Sequence, residues 1–167
     1  MRTTRTGRAV LAIAVLVASP WAGRAADPDV AHDAVAQRYF RGVYGCDPAV
    51  VDDLASDDIV VSYPVFETLF KKPALRGREA VRAFAVRFCE KWADPHIEFH
   101  EAVSEGDRVV LLWSFRARDT GSTPPGREHR WGGLTLLRFD QAGKVEAEVG
   151  EESEPGPMGR LGGQGAE

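Results

Sequence analysis

Four strand-length segments in the second half constrain this chain most: His96–Ser104, Arg108–Arg118, Arg130–Phe139 and Lys144–Glu151. They follow one another across Glu105-Gly106-Asp107, a Gly/Pro loop from Asp119 to Gly126, and Gln141-Ala142-Gly143. Period-two alternation is the pattern of a strand with one buried face, and short Gly-containing breaks join antiparallel neighbours. An antiparallel meander with one apolar face needs a cover.

The cover is legible upstream as three helices. From Asp29 to Tyr44 the residues Val35, Ala36, Tyr39, Phe40 and Val43 make one helical stripe, ended by Gly45. Asp47 as N-cap and Pro48 at the first helical position predict a short helix bearing Val51 and Leu54, running to about Ser56. Between Arg78 and Trp92, Val81, Phe84, Ala85, Phe88 and Trp92 make the clearest stripe. Ile59–Tyr63 reads as a short strand, and Val65–Lys72 as its hairpin partner or an irregular cover. The pattern predicts one α+β domain over residues 29–152, followed from 153 to 167 by a Gly/Pro-rich tail with little to bury. With 44% apolar residues in 167, the chain has enough material for a core without metal or disulfide support.

The first 25 residues read as a secretory signal. Arg2, Arg5 and Arg8 precede an apolar run from Ala9 to Ala18, and Gly23 and Ala25 suit a cleavage site that leaves a mature chain starting near Ala26. The run is half the length of a membrane-spanning helix. A periplasmic or secreted protein is expected, free of the membrane once the signal is removed. Removing Arg2, Arg5, Arg8 and Arg24 leaves 17 of the 21 basic residues against 25 acidic ones. That balance argues against nucleic acid as a partner. In an oxidising compartment Cys46 and Cys89 can pair or stay buried as free thiols, and two cysteines in a sequence do not decide between these.

Strand parity groups the candidate ligand-facing side chains. Val109, Leu111, Trp113, Phe115 and Ala117 share one face, and His129, Trp131, Gly133, Thr135 and Leu137 share one on the next strand. Aromatic walls with a few polar groups suit a ligand pocket, and equally suit a core holding a satisfied histidine and threonine. The segment His96-Ile97-Glu98-Phe99-His100 carries metal-ligand types, but its histidines stand about 13 Å apart on a strand, so a solvated outer face is expected. No metal or cofactor is expected, and no nucleophile elbow, zinc motif or phosphate-binding glycine loop is present. Glu146, Glu148, Glu151, Glu152 and Glu154 form an acidic run. Any one of them facing a cavity would have a raised pKa, and the sequence does not say which does.

The order of elements, with Gln37-Arg38-Tyr39-Phe40, Asp57-Asp58-Ile59-Val60-Val61, Leu75-Arg76-Gly77-Arg78-Glu79-Ala80-Val81, Glu105-Gly106-Asp107-Arg108-Val109-Val110 and Arg138-Phe139-Asp140-Gln141-Ala142-Gly143-Lys144-Val145, resembles the nuclear transport factor 2-like superfamily of SnoaL-like and ketosteroid-isomerase-like proteins. The resemblance runs from about Ala31 to Glu152. It implies a cone-shaped, curved antiparallel sheet wrapped around the three helices, an apolar cavity, and often a homodimer. In the steroid isomerases a tyrosine and a protonated aspartic acid stabilise an enolate oxygen while a second aspartate moves the proton. Tyr39 matches that tyrosine, but the proton-moving aspartate falls on Tyr63 and the oxyanion acid on Thr135, so the isomerase pattern is not met. The looser SnoaL-like relation makes His129 the best acid-base candidate, beside Tyr39. Tyr39, Tyr63, Trp113, His129, Trp131 and Thr135 are the expected ligand-binding residues. The expected function is binding of a small apolar molecule, with isomerase, cyclase or lyase-type acid-base chemistry open. The alternative is a non-catalytic extracytoplasmic dimerisation or protein-interaction domain whose cavity is filled by Trp113, Trp131 and Phe115.

Overall fold

The computed structural model describes residues 28–121 and 126–153. The signal segment, and all of the tail beyond Ser153, lie outside the described residues. Helix α1 (Pro28–Tyr44) is followed by α2 (Ala49–Leu54), strand β1 (Ala55–Ser62), α3 (Pro64–Phe70), β2 (Leu75–Arg76) and α4 (Arg78–Lys91). The second half is the meander β3 (Trp92–Glu105), β4 (Arg108–Asp119), β5 (Arg127–Phe139) and β6 (Val145–Glu152). The six strands form one curved sheet in the order β2-β1-β6-β5-β4-β3.

This α+β architecture differs from the expectation in three ways. The sheet is mixed, because β1 lies parallel to β6 and closes the meander from the N-terminal half. The hairpin partner of β1 is the two-residue β2, with Val60 opposite Arg76 and Val61 opposite Leu75. Residues 65–72 do not supply it. Most of them belong to a fourth helix, α3, which starts because Tyr63 is extended (φ −134°, ψ 141°) ahead of Pro64 in the first turn. Phe66 and Phe70 then fall one turn apart and their rings meet at 5.2 Å. The helix stops where Lys71 takes a left-handed conformation (φ 55°). Smaller adjustments follow the same logic: α2 ends at Leu54, β1 takes over at Ala55, and Pro48 occupies the N-cap place with no side-chain cap bond from Asp47.

The inward faces of β4 and α1 follow the sequence pattern. Val109, Leu111, Trp113, Phe115 and Ala117 are all buried, as are Ala36, Tyr39, Phe40 and Val43. Cys46 and Cys89 form a disulfide, with Cα atoms 5.4 Å apart, which ties the α1–α2 joint to the last turns of α4. His96 and His100 stand on the exposed face of β3, where His100 Nε2 meets Ser114 Oγ at 3.0 Å. Among the described residues no group of three metal-ligand side chains converges.

Candidate active site

The helices and the sheet leave between them a cavity of about 570 Å³ that reaches the surface. Its helical side is Phe40 and Tyr44 from α1, Val65, Phe66 and Phe70 from α3, and Phe84 and Phe88 from α4. Its sheet side is Trp92, Trp113, Phe115, His129 and Trp131. Rings pack against one another across this wall, with Phe115 and Trp131 at 4.2 Å and Phe88 and Phe115 at 5.5 Å between centres. His129 stands edge-on to Trp92, ring centres 5.3 Å apart. Leu69, Arg87 and Lys91, all exposed, mark the mouth.

Behind this wall lies a polar network organised by one carboxyl group. Glu148, on β6, is wholly buried, and its Oε1 accepts hydrogen bonds from the hydroxyls of Tyr44 and Tyr63, each at 2.7 Å. The Tyr63 proton is therefore committed to Glu148, so at the 2.8 Å contact with Thr135 the threonine hydroxyl donates. Trp113 Nε1 donates to Thr135 Oγ1 at 2.9 Å. The result is a chain of bonds polarised from indole through threonine and phenol to carboxyl. Tyr39 Oη faces the same carboxyl closely enough to bias its proton affinity. Neither that hydroxyl nor Glu148 Oε2 closes a hydrogen bond of regular geometry.

Burial governs the proton affinities. It pushes Glu148 up from the usual carboxylate range, and the bonds from Tyr63 and Tyr44, with the nearby Tyr39 hydroxyl, pull only part of the way back. Tyr39, Tyr44 and Tyr63 are all pushed well above the usual phenol value, first by burial and then by the facing carboxyl. A phenol in this state holds its proton. Tyr63 is therefore a donor and a relay, not the base that replacing an aspartate would require.

The six sequence-selected residues separate into two layers. Tyr63, Trp113, His129 and Trp131 line the cavity. Tyr39 and Thr135 sit one layer deeper, fully buried at the carboxyl network. Tyr44 and Glu148 were not selected, although both are central. Tyr44 continues the α1 stripe one residue past Val43. Glu148 was one of five glutamates in a run, and only the structure shows which of them turns inward.

Two glycines make room for this arrangement. A Cβ on Gly150 would stand 2.2 Å from Tyr63 Cε1, so only a residue without a side chain lets that ring lie flat on β6 with its hydroxyl at Glu148. A Cβ on Gly133 would meet Trp113 Cζ2 at 2.8 Å and the Glu151 carbonyl at 2.3 Å.

A family model for the SnoaL-like domain matches residues 36–148. The chain belongs to the SnoaL-like family. No curated protein matches by sequence. Among solved structures, this SnoaL-like chain is similar to a protein described as a SnoaL-like polyketide cyclase from Jannaschia sp. CCS1. They share 18% identity with a TM-score of 0.65, over 80% of this chain and 93% of that one. It is similar also to IdmH of Streptomyces antibioticus, described as a polyketide cyclase, at 17% identity and TM-score 0.65, over 78% and 98% of the two chains. A protein from M. tuberculosis described as an LEH-like epoxide hydrolase matches at 11% identity and TM-score 0.62, over 81% and 92%. At these identities the likeness is one of fold.

Proposed function

We propose that this SnoaL-like chain binds a small, largely apolar molecule in the aromatic cavity and does acid-base chemistry on it. His129 at the wall and the Tyr44–Tyr63–Glu148 relay behind it are the groups that hold or move the proton. The observation that carries this reading is the floor of the cavity. Two of its lining residues are phenols bonded to one buried carboxyl, in a space of about 570 Å³ otherwise walled mainly by rings. A domain whose only task was packing would have closed that space with side chains and would have no use for a buried acid. The relatives described as polyketide cyclases support a carbonyl-bearing substrate for the same fold.

Titration of the purified protein with a neutral naphthalene derivative, followed by tryptophan fluorescence, tests the binding reading. Saturable quenching is expected, because Trp92, Trp113 and Trp131 line the cavity. Leu69→Asp should weaken it roughly fivefold or more by replacing an apolar side chain at the mouth with a charged one. Leu69 is 64% exposed, so the fold is not threatened. Quenching that never saturates would remove the cavity from the functional account.

We further propose a homodimer built on the outer face of the sheet. Val103 pairs with Val110, Val110 with Leu136, Leu112 with Leu134 and Leu136 with Val149, so one apolar strip crosses four strands. Val103, Leu134 and Val149 are each about half exposed, more than a monomer ordinarily leaves in one patch. Light scattering should return twice the chain mass, and half that mass after Leu134→Lys. A monomer in both cases refutes the dimer. Export of the chain is a companion proposal. It is supported by the Arg2–Ala25 pattern and by the Cys46–Cys89 disulfide, a bond at home in an oxidising compartment.

A further inference from the structure

We infer that the molecule held in this cavity carries an anionic carboxylate head that docks on Arg87 and Lys91 at the mouth, so that the ligand class is an apolar-bodied carboxylic acid. The inference rests on the cavity being a binding site and names what the site selects.

It comes from how α4 meets the cavity. Phe84, Arg87, Phe88 and Lys91 all line it and are spaced three and four residues apart, so they form one helical face. The two phenyl rings contribute to the wall, while the two cations stay exposed at the mouth. Each cation leans over a ring that also lines the cavity. The Arg87 guanidinium is 6.0 Å from the centre of Phe70, and Lys91 Nζ is 5.0 Å from the centre of Trp92. Such contacts favour side chains lying along apolar surface with the charge at its edge.

The acids at the same mouth already have partners, one of them Lys91 itself at long range. Asp119 Oδ1 accepts the backbone N–H of Gly121 at 2.8 Å, and its other oxygen is 4.0 Å from Lys91 Nζ, the outer limit of an ion pair. Glu152, at the end of β6, also has a partner. Among the described residues Arg87 has no acidic partner. A guanidinium with no acid of its own among the described residues, one helical turn from an ammonium and over an apolar chamber, matches a molecule whose body enters and whose charge stays at the rim.

Isothermal titration calorimetry with 2-naphthylacetate and 2-naphthylacetamide separates head from body, since the two share a ring system. In low salt the acid should bind roughly tenfold tighter than the amide. In the Arg87→Met, Lys91→Met double variant, which keeps apolar stems on an exposed helix face, that preference should fall to about twofold or less, with the amide affinity of each protein serving as the reference for its acid. Equal affinities in the native protein would overturn the carboxylate inference and leave the cavity reading standing. Failure of both compounds to bind would overturn the two together. A preference that survives the double variant would also overturn it, because the anion would then be held by other groups.

Discussion

Replacing Glu148 with alanine should cost roughly 3–5 kcal/mol of folding stability, whereas Glu148→Gln should cost about 1 kcal/mol or less at pH values where the native carboxyl holds its proton. Alanine takes away the acceptor of two buried phenol bonds and leaves a void among Tyr39, Tyr44 and Tyr63. Glutamine keeps a carbonyl oxygen for both phenols. Its NH₂ group takes the place of a protonated Oε2, whose natural acceptor is the unbonded Tyr39 Oη. The two variants therefore read the protonation state of the native residue. Glu148 has a folded-state proton affinity raised by burial, so the folded protein holds this proton at pH values where the unfolded chain has lost it. Stability from this group is fully present below the unfolded value, about 4.3, and is lost as pH rises toward the raised folded value. Denaturant unfolding at a series of pH values should show that decline in the native protein and not in Glu148→Gln. If glutamine proves as damaging as alanine, the carboxyl is needed in its charged form.

At the alkaline end the effect is larger, because three groups act together. Tyr39, Tyr44 and Tyr63 are the only tyrosines in the chain, and each is pushed above the ordinary phenol value of 10.0 by burial and then by Glu148. Above that value the unfolded chain ionises all three, while the folded protein keeps its protons. Stability should therefore fall by ~4 kcal/mol for each pH unit beyond about 10, until the folded phenols themselves titrate. Tyrosinate absorbance gives a direct readout, since no other tyrosine contributes. It should rise in step with unfolding measured by circular dichroism. A rise that comes well before unfolding would mean that at least one phenol is open to solvent hydroxide.

The meander was readable in the sequence because strand-length apolar segments are separated by short Gly-containing breaks, and α4 because its stripe from Val81 to Phe88 has helical spacing throughout. Glu148 was hidden by a departure from alternation. Strict period two puts Val145, Ala147 and Val149 on one face of β6 and Glu146 and Glu148 on the other. In the structure Arg138 pairs with Ala147 and Phe139 with Val145, so Glu146 is an extra residue bulged out of the ladder. The bulge reverses the parity, which buries Val145 before it and Glu148 and Gly150 after it, and leaves Val149 half exposed. A bulge depends on the backbone path of the neighbouring strands, and no local residue pattern announces it. Helix α3 was missed for a different reason. Val65 and Thr68 favour strands in isolation, and packing of Phe66 against Tyr63 and Phe84 overrides that preference.

The Cys46–Cys89 bond also sets the connectivity of the cavity walls. It closes a covalent ring that contains α2, β1, α3, β2 and most of α4, with α1 and β3 to β6 outside it as two open arms. Phe66 and Phe84 belong to the ring, and Trp113 and Trp131 to an arm. A single cut in the link between α3 and β2, where Lys71 and Lys72 are exposed, would turn the ring into a branched chain with both arms still attached. The two walls would then remain parts of one molecule until the sulfurs were separated.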